Sequence, residues 1–361
     1  PLVKKAALSR EEAQKKQFQW IEKVPPQYPV KEFTPIEEIV FKRSNGNEVR
    51  IGGEKAPPFY SFISQGGFRK LNPNKPKVTY DVFDMKIPLP KVLKNHYREV
   101  LKDPVGWAEL AVKYGADLVT IHFTSTDPGI MDTPVKESAK ILDEILQRIK
   151  IPIIIGGSGN KKKDAELFET LAPLCEGERL MFSSADKVTW DKIVPLARDY
   201  DQNVLLWAQL DINDQQKLVE DALAMGMPRD SIVLDPTCAT LGYGLEYSYS
   251  IFQKIRLAGL NGNETLNFPI SGGTTNAWGA REAWMKKIQH MPLKGGDRAL
   301  RGPLWEVITA LTMSLMGLDL AMMLHPYSAQ LFKSTVEDFY AELPQTPEQL
   351  PDYESWVTVD F

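Results

Sequence analysis

The chain has 361 residues, 43% hydrophobic and 25% charged, with a formal net charge of −4. Such a length buries roughly three quarters of its unfolded surface without disulfide or metal staples and suits one barrel of ~250 residues with additions. The mild acidity gives no footprint for nucleic acid or an anionic membrane, and two cysteines without a CxxC pair, Cys175 and Cys238, are too few for a cluster held by about four thiolates.

The same two cysteines make no disulfide framework, so a reducing cytoplasm is the expected compartment. The N-terminal PLVKKAALSREEAQKK lacks the apolar run of a secretory signal. The longest apolar stretch, near Leu304–Met316, is too short and too polar to span a bilayer.

Residues 1–75 read as an N-terminal appendage of helix and β-hairpin. Ser9 with Glu12 forms a capping box that opens a charged helix to about Glu22, and Pro25 and Pro26 end it. Ile39–Phe41 and Val49–Ile51 flank Asn45-Gly46, which predicts a hairpin with a type I′ turn, positive φ at both central residues. Gly52-Gly53 and Pro57-Pro58 then lead into an aromatic patch of Phe59, Tyr60 and Phe62.

Residues 76–340 follow one rhythm. Short β-branched runs at Val78–Met85, Leu118–Thr124, Ile151–Ile155, Arg179–Ser183, Val204–Leu210, Ser231–Leu234, Phe268–Ser271 and Leu318–Met323 alternate with helical stretches. Those stretches are Pro104–Tyr114, Pro134–Ile149, Asp164–Leu174, Trp190–Asp199, Gln215–Ala224, Tyr247–Leu260, Gly279–Gln289 and Gly302–Met316, with a last helix at about Ser328–Tyr340. Repeated strand-then-helix spacing means right-handed crossovers and a parallel sheet. Eight repeats predict a closed (β/α)₈ TIM barrel, with an open doubly wound sheet as the competitor. Residues 341–361 form a proline-rich acidic tail ending in Trp356, Val357, Val359 and Phe361, a loose terminus or a docking peptide.

In such a barrel the site lies where the strand C-termini meet the following loops. Those positions hold Asp84; His122, Thr124, Ser125, Thr126 and Asp127; Gly156, Gly157, Ser158, Gly159 and Asn160; and Ser183, Ser184 and Asp186. Further round stand Gln209, Asp211 and Asn213; Asp235, Thr237, Cys238 and Tyr243; Ser271 to Asn276; and His325. No lysine or arginine stands at a strand end, which disfavours a Schiff base or a phosphate clamp. Neutral hydrogen-bonding groups dominate, as a large amide-rimmed ligand would require.

Several features carry two readings. Gly156–Gly159 is a phosphate cradle or an ordinary glycine turn. His122 and His325 are ligands or packed core residues. Asp84, Asp211 and Asp235 permit a divalent metal, yet each can cap a neighbouring helix instead, so no metal site is assigned. Cys238 and the methionines Met313, Met316, Met322 and Met323 read as core.

The strings YDVFDMKIPLPK, VTIHFTSTDPGIMDTP, IPIIIGGSGN, LDPTCATLGYGLEYSYS, FPISGGTTNAWGAREAW, RGPLWE and MMLHP resemble the small subunit of the corrinoid iron–sulfur protein. In archaea this family is the delta subunit of acetyl-CoA decarbonylase/synthase. The likeness spans about Arg50 to Tyr340. It implies a (β/α)₈ barrel in a heterodimer with a large subunit that carries the iron–sulfur cluster and a cobalamin. The cobalamin would lie over the barrel mouth and shuttle methyl between a methyl-tetrahydropterin or methyl-tetrahydrofolate and the nickel cluster of acetyl-CoA synthase. A methyltransferase and acetyl-CoA synthase would be transient partners. Strand-end placement and the family strings together select Thr124, Thr126, Ser158, Asn160, Ser183, Gln209, Tyr243, Thr274, Thr275 and Asn276 as cobalamin contacts, none of them an acid–base catalyst. Two other functions compete: a methyltransferase gripping a pterin through Asp84, Asp211, Asp235 and Asn276, and a purely structural subunit.

Overall fold

Eight parallel strands close into a barrel, and a two-stranded antiparallel hairpin packs at its lower end. The structure is a computed structural model describing residues 33–58, 72–286 and 297–340. The helix expected to about Glu22, the aromatic patch and the tail lie outside the described residues. The hairpin is β1 (Glu38–Lys42) and β2 (Glu48–Gly52). The barrel strands are β3 (Lys77–Phe83), β4 (Leu118–His122), β5 (Ile153–Gly156), β6 (Met181–Ala185), β7 (Asn203–Trp207), β8 (Ile232–Asp235), β9 (Ile270–Gly272) and β10 (Leu318–Met323). They neighbour one another in chain order, and β10 pairs with β3 to close the ring.

Among the described residues the helices are α1 (Lys91–Tyr97), α2 (Pro104–Lys113), α3 (Val135–Arg148), α4 (Lys161–Leu171) and α5 (Trp190–Asp199). Then come α6 (Ile212–Ala224), α7 (Leu245–Leu260), α8 (Arg281–Trp284), α9 (Arg298–Leu315) and α10 (Pro326–Tyr340). Helix α1 has no counterpart in the sequence reading. Helices α4, α6 and α9 begin three or four residues early, because Asn160, Asp211 and Asp297 accept the first free amides as N-caps. The helix expected at Gly279–Gln289 is the single turn α8, and Met285 after it is extended; residues 287–289 lie outside the described residues.

Alternation along the strands divides the core in two. Outward residues such as Val119, Ile121, Ile153, Ile155, Phe182 and Leu206 pack under the helices with Trp107 and Phe168. Inward residues Leu118, Ile154, Met181, Leu205, Val233, Leu320 and Met322 fill the lower barrel together with Ile39, Phe41 and Ile51 of the hairpin. The hairpin is thus a plug for the N-terminal end of the barrel.

Polar bonds fix the plug. Lys42 and Arg179 exchange backbone hydrogen bonds of 2.9 and 2.8 Å, and Asn203 donates to the Val40 carbonyl at 3.0 Å. Arg43 is buried and donates to the Leu146, Ile149 and Ile151 carbonyls, two of them in or just past the last turn of α3, while its Nε pairs with Glu178 at 2.8 Å. Those carbonyls are the ones a helix end leaves free. The turn corrects the type I′ expectation: only Gly46 has a positive φ, of 90°. Asn45 instead lends its side chain, accepting from Asn47 N and donating to the Lys150 carbonyl. Behind the plug Arg256 bridges Glu54 at 3.1 Å, the Gly317 carbonyl at 2.7 Å and Asp319, all buried.

Phe41→Ala empties the centre of this plug and is expected to destabilise the protein by about 3–5 kcal/mol in denaturant unfolding. A loss below about 1 kcal/mol, typical of a surface position, would show that the hairpin is not part of the core.

Candidate functional site at the barrel mouth

Climbing the barrel, the inward positions turn from apolar to polar. Thr79 and Thr120 share a buried 2.7 Å hydroxyl bond. Above them, one oxygen of Asp81 bonds His122 Nε2 at 3.0 Å, and the other accepts the Thr275 hydroxyl. The His122 ring stacks on Phe83 with centroids 4.9 Å apart. Gly156, its neighbour on β5, is needed there: a Cβ would stand 2.9 Å from His122 Nδ1. Ser183, Trp207 and Asp235 continue the inward-facing ring on β6, β7 and β8.

The loops above this floor are held by their own carboxylates. Asp84 accepts from Ser125 N at 3.0 Å and Ser125 Oγ at 2.5 Å, and burial still pushes its carboxyl up despite those bonds. After β5, Asp164 of α4 reaches back to Ser158 N at 2.7 Å, Gly159 N at 2.9 Å and Ser158 Oγ at 2.9 Å. Gly157 N goes to the Ser183 carbonyl and Asn160 N to Ser158 Oγ. The amides of residues 157–160 are therefore taken by the turn itself, and the glycine run is a self-filled turn. After β6, Asp186 accepts from Val188 N, Thr189 N and the Thr189 hydroxyl, and pairs with Lys161. Burial alone would raise its carboxyl, but the Lys161 ammonium and those bonds hold it below the usual range.

No lysine stands at the C-terminal end of a barrel strand, yet Lys161 reaches the mouth from a helix start. It is the first residue of α4, and its ammonium lies 5.5 Å from the centroid of the Trp207 ring. Strand ends alone do not reveal it, because the side chain arrives from a helix start.

The loops after β7 and β8 are joined through strained backbone. Leu210 and Thr237 hold φ of 53° and 71°, unusual for such side chains. Leu210 N donates to the Pro236 carbonyl at 3.1 Å, and Thr237 Oγ1 to the Ala208 carbonyl at 3.2 Å. Asp235 sits between them, buried, with Thr237 N on one oxygen at 2.8 Å. Burial pushes it up to about 7. Asp211 caps α6, and among the described residues no group of three or more His, Cys, Asp or Glu is placed to hold a metal ion.

Around the last strands, Glu306 of α9 is fully buried and accepts from Leu324 N at 2.7 Å and His325 N at 3.1 Å; burial pushes it up to about 7. His325 stacks on Trp278, and burial with neighbouring His96 drives it down to about 3, so it stays neutral. The family strings RGPLWE and MMLHP therefore meet in one buried bond set.

The ten expected contacts divide by environment. Thr124, Ser158, Asn160, Ser183 and Thr275 are half-buried at the mouth, while Gln209, Tyr243 and Asn276 are exposed, Asn276 donating to the Cys238 carbonyl at 3.0 Å. Thr126 and Thr274 are wholly buried, their hydroxyls given to the Phe123 and Met322 carbonyls at 2.8 and 2.6 Å, so they build the loops rather than face the opening. No local motif pairs Asp81 with His122; the strand register brings them together. Outside the polar floor stand exposed apolar side chains: Ile130 and Met131 after β4, Val188 after β6, Tyr243 and Tyr247 after β8, and Tyr327 after β10.

This is a (β/α)₈ barrel whose chemistry gathers at the C-terminal face. Solved structures of similar fold include dihydropteroate synthases. One is from Xanthomonas albilineans with 4-aminobenzoic acid, at TM-score 0.51 and 14% identity over 76% of this chain and 96% of that one. Another is from Stenotrophomonas maltophilia with active site-bound imidazole, at TM-score 0.52 and 13% identity over 76% and 96%. At such identity the likeness is one of fold. Sequence goes further: residues 38–295 match the family described as CO dehydrogenase/acetyl-CoA synthase delta subunit. The acetyl-CoA decarbonylase/synthase complex subunit delta of Archaeoglobus fulgidus is 48% identical over 84% of this chain and 69% of its own length. That of Methanothermobacter thermautotrophicus is 41% identical over 91% and 84%. The chain belongs to the acetyl-CoA decarbonylase/synthase delta-subunit family.

Because Asp235 is raised, the folded state keeps a proton that the unfolded chain releases near pH ~4. Its contribution therefore falls as pH climbs from about 4 to about 7. Asp235→Asn keeps the acceptor for Thr237 N and lacks the titration. Its stability relative to the unsubstituted protein should rise across that window in urea unfolding; a flat difference would mean that Asp235 is not desolvated.

Proposed function

We propose that the barrel mouth lids a cobalamin carried by a large corrinoid iron–sulfur partner subunit. In this role the chain helps move a methyl group between a methyl-tetrahydropterin or methyl-tetrahydrofolate and the nickel cluster of acetyl-CoA synthase. The observation that carries this reading is an apolar rim around a floor of hydrogen-bonding groups. Ile130, Met131, Val188, Tyr243 and Tyr247 offer apolar surface well beyond what a solvated loop needs. The cations Lys161, Lys163 and Lys187 are each ion-paired.

A corrinoid fits such a surface, being a broad apolar ring edged with uncharged amides. Thr124, Ser158, Asn160, Ser183, Gln209, Thr275 and Asn276 would meet those amides, and Tyr243 and Met131 the ring and the partner. When bound, the corrinoid supplies the metal that accepts and releases methyl; the protein supplies orientation and exclusion of water. The two cysteines stay out of this chemistry, since both are buried and desolvation pushes their thiols up. Assignment of the iron–sulfur cluster to the partner rests on the same scarcity of cysteine. Among the described residues no helix is long and apolar enough to cross a membrane.

Met131→Glu with Tyr243→Glu places charge on the rim without touching the floor. In the complex with the corrinoid-bearing subunit, cobalamin retention should fall at least about tenfold, as loss of an aromatic anchor commonly costs. Unchanged retention and unchanged assembly would discard the lid.

A further inference from the structure

His122 is one of four histidines in the chain and stands on the mouth floor. It ends β4 on the inward face shared with Leu118 and Thr120. Its partner Asp81 is 4% exposed and has an acceptor's task at both oxygens: His122 on one, the Thr275 hydroxyl on the other. The Thr275 hydroxyl is also 3.0 Å from the Met322 carbonyl, but the carboxylate is the stronger acceptor for its single proton. With both Asp81 oxygens accepting, the hydrogen between Asp81 and His122 is on Nε2, and in the neutral imidazole that leaves the lone pair on Nδ1.

Nδ1 has no hydrogen-bond partner among the described residues, and the His122 side chain is 23% exposed. The space beside it exists because residue 156 is glycine. Phe83 lies flat against the ring and holds its plane. Nδ1 of the neutral ring is thus an acceptor of fixed direction, in contrast to the hydroxyls around it, which rotate between donor and acceptor.

We propose that His122 Nδ1 is the contact by which the mouth recognises an uncharged N–H donor of its ligand, a peripheral primary amide of the corrin. Asp81 and Thr275 are its positioning residues. The proposal rests on the lid reading above and adds the group that gives the lid its polarity preference. A carbonyl alone, or the carboxylate left when the amide is hydrolysed, cannot donate to Nδ1. A carboxylate is also opposed by Asp81.

Two measurements test it. Long-range ¹H–¹⁵N spectra of the full chain with labelled histidine, assigned through His122→Gln, should show the Nε2–H tautomer at neutral pH; an Nδ1–H tautomer overturns the proposal. In the complex with the corrinoid-bearing subunit, retention of cobalamin is then compared with that of its monocarboxylic acids, each lacking one peripheral amide. One monoacid should be held about tenfold less well, and His122→Phe should lose that discrimination. Asp81→Asn, which can donate to Nε2 and move the ring proton to Nδ1, should lose it with histidine still present. If all monoacids equal cobalamin, or if His122→Phe still discriminates, the contact is refuted and the lid stands. If the unsubstituted complex retains no corrinoid of any kind at this face, the lid falls and the contact with it.

Discussion

A closed barrel has one interior, and everything at the mouth of this one depends on that interior being sealed from below. Ile39, Phe41 and Ile51 complete the apolar layer of Leu118, Ile154, Met181, Leu205, Val233 and Leu320. Without them the lower ends of eight strands would open to water, and the inward threonines and Asp81 would have water from both sides. With them, water reaches the polar groups only through the top. The seal therefore creates the gradient that makes Asp81 a directed acceptor and Asp235 a desolvated acid, since a polar group removed from water takes its character from its few fixed partners.

The same economy governs the loops. Asp84, Asp164 and Asp186 stand where ligand groups are commonly gripped, yet each fills the amides and hydroxyls of the turn around it. Glu306 does likewise from α9 for the exit of β10. These carboxylates exchange the ability to bind an incoming anion for a rim already in its final shape. A preformed rim loses little freedom when a ligand settles on it, which favours affinity built from many modest contacts.

The strands were legible because sheets covered on both faces read as unbroken apolar runs, and IPIII and IVLD hardly admit another structure. Helix starts were less legible: Asn160 and Asp211 cap helices that open with Lys-Lys-Lys and Ile-Asn-Asp, before a regular apolar spacing sets in. The turn at Asn45-Gly46 looked like a type I′ pair, but tertiary contact decided it, as Lys150 draws the Asn45 side chain and leaves its backbone ordinary. At the site, position in sequence identified which residues reach the mouth but not which way they face. Thr126 and Thr274 lie in 3₁₀ turns, where one residue of offset turns a hydroxyl inward. The pairing of Asp81 with His122 and Thr275 joins three distant segments and has no local signature.

Charge at the rim is paired within the protein. Lys161 with Asp186 and Lys187 with Asp214 span neighbouring loops, and pairs so close to water add little to stability. Their effect on the field is larger. Each cancels a charge that would otherwise project over the bowl, where low-dielectric walls strengthen any unpaired ion. What remains is a floor of dipoles around the Asp81 carboxylate, inside an apolar edge. Such a surface holds an uncharged, amide-bearing ring better than a phosphate or a free carboxylate.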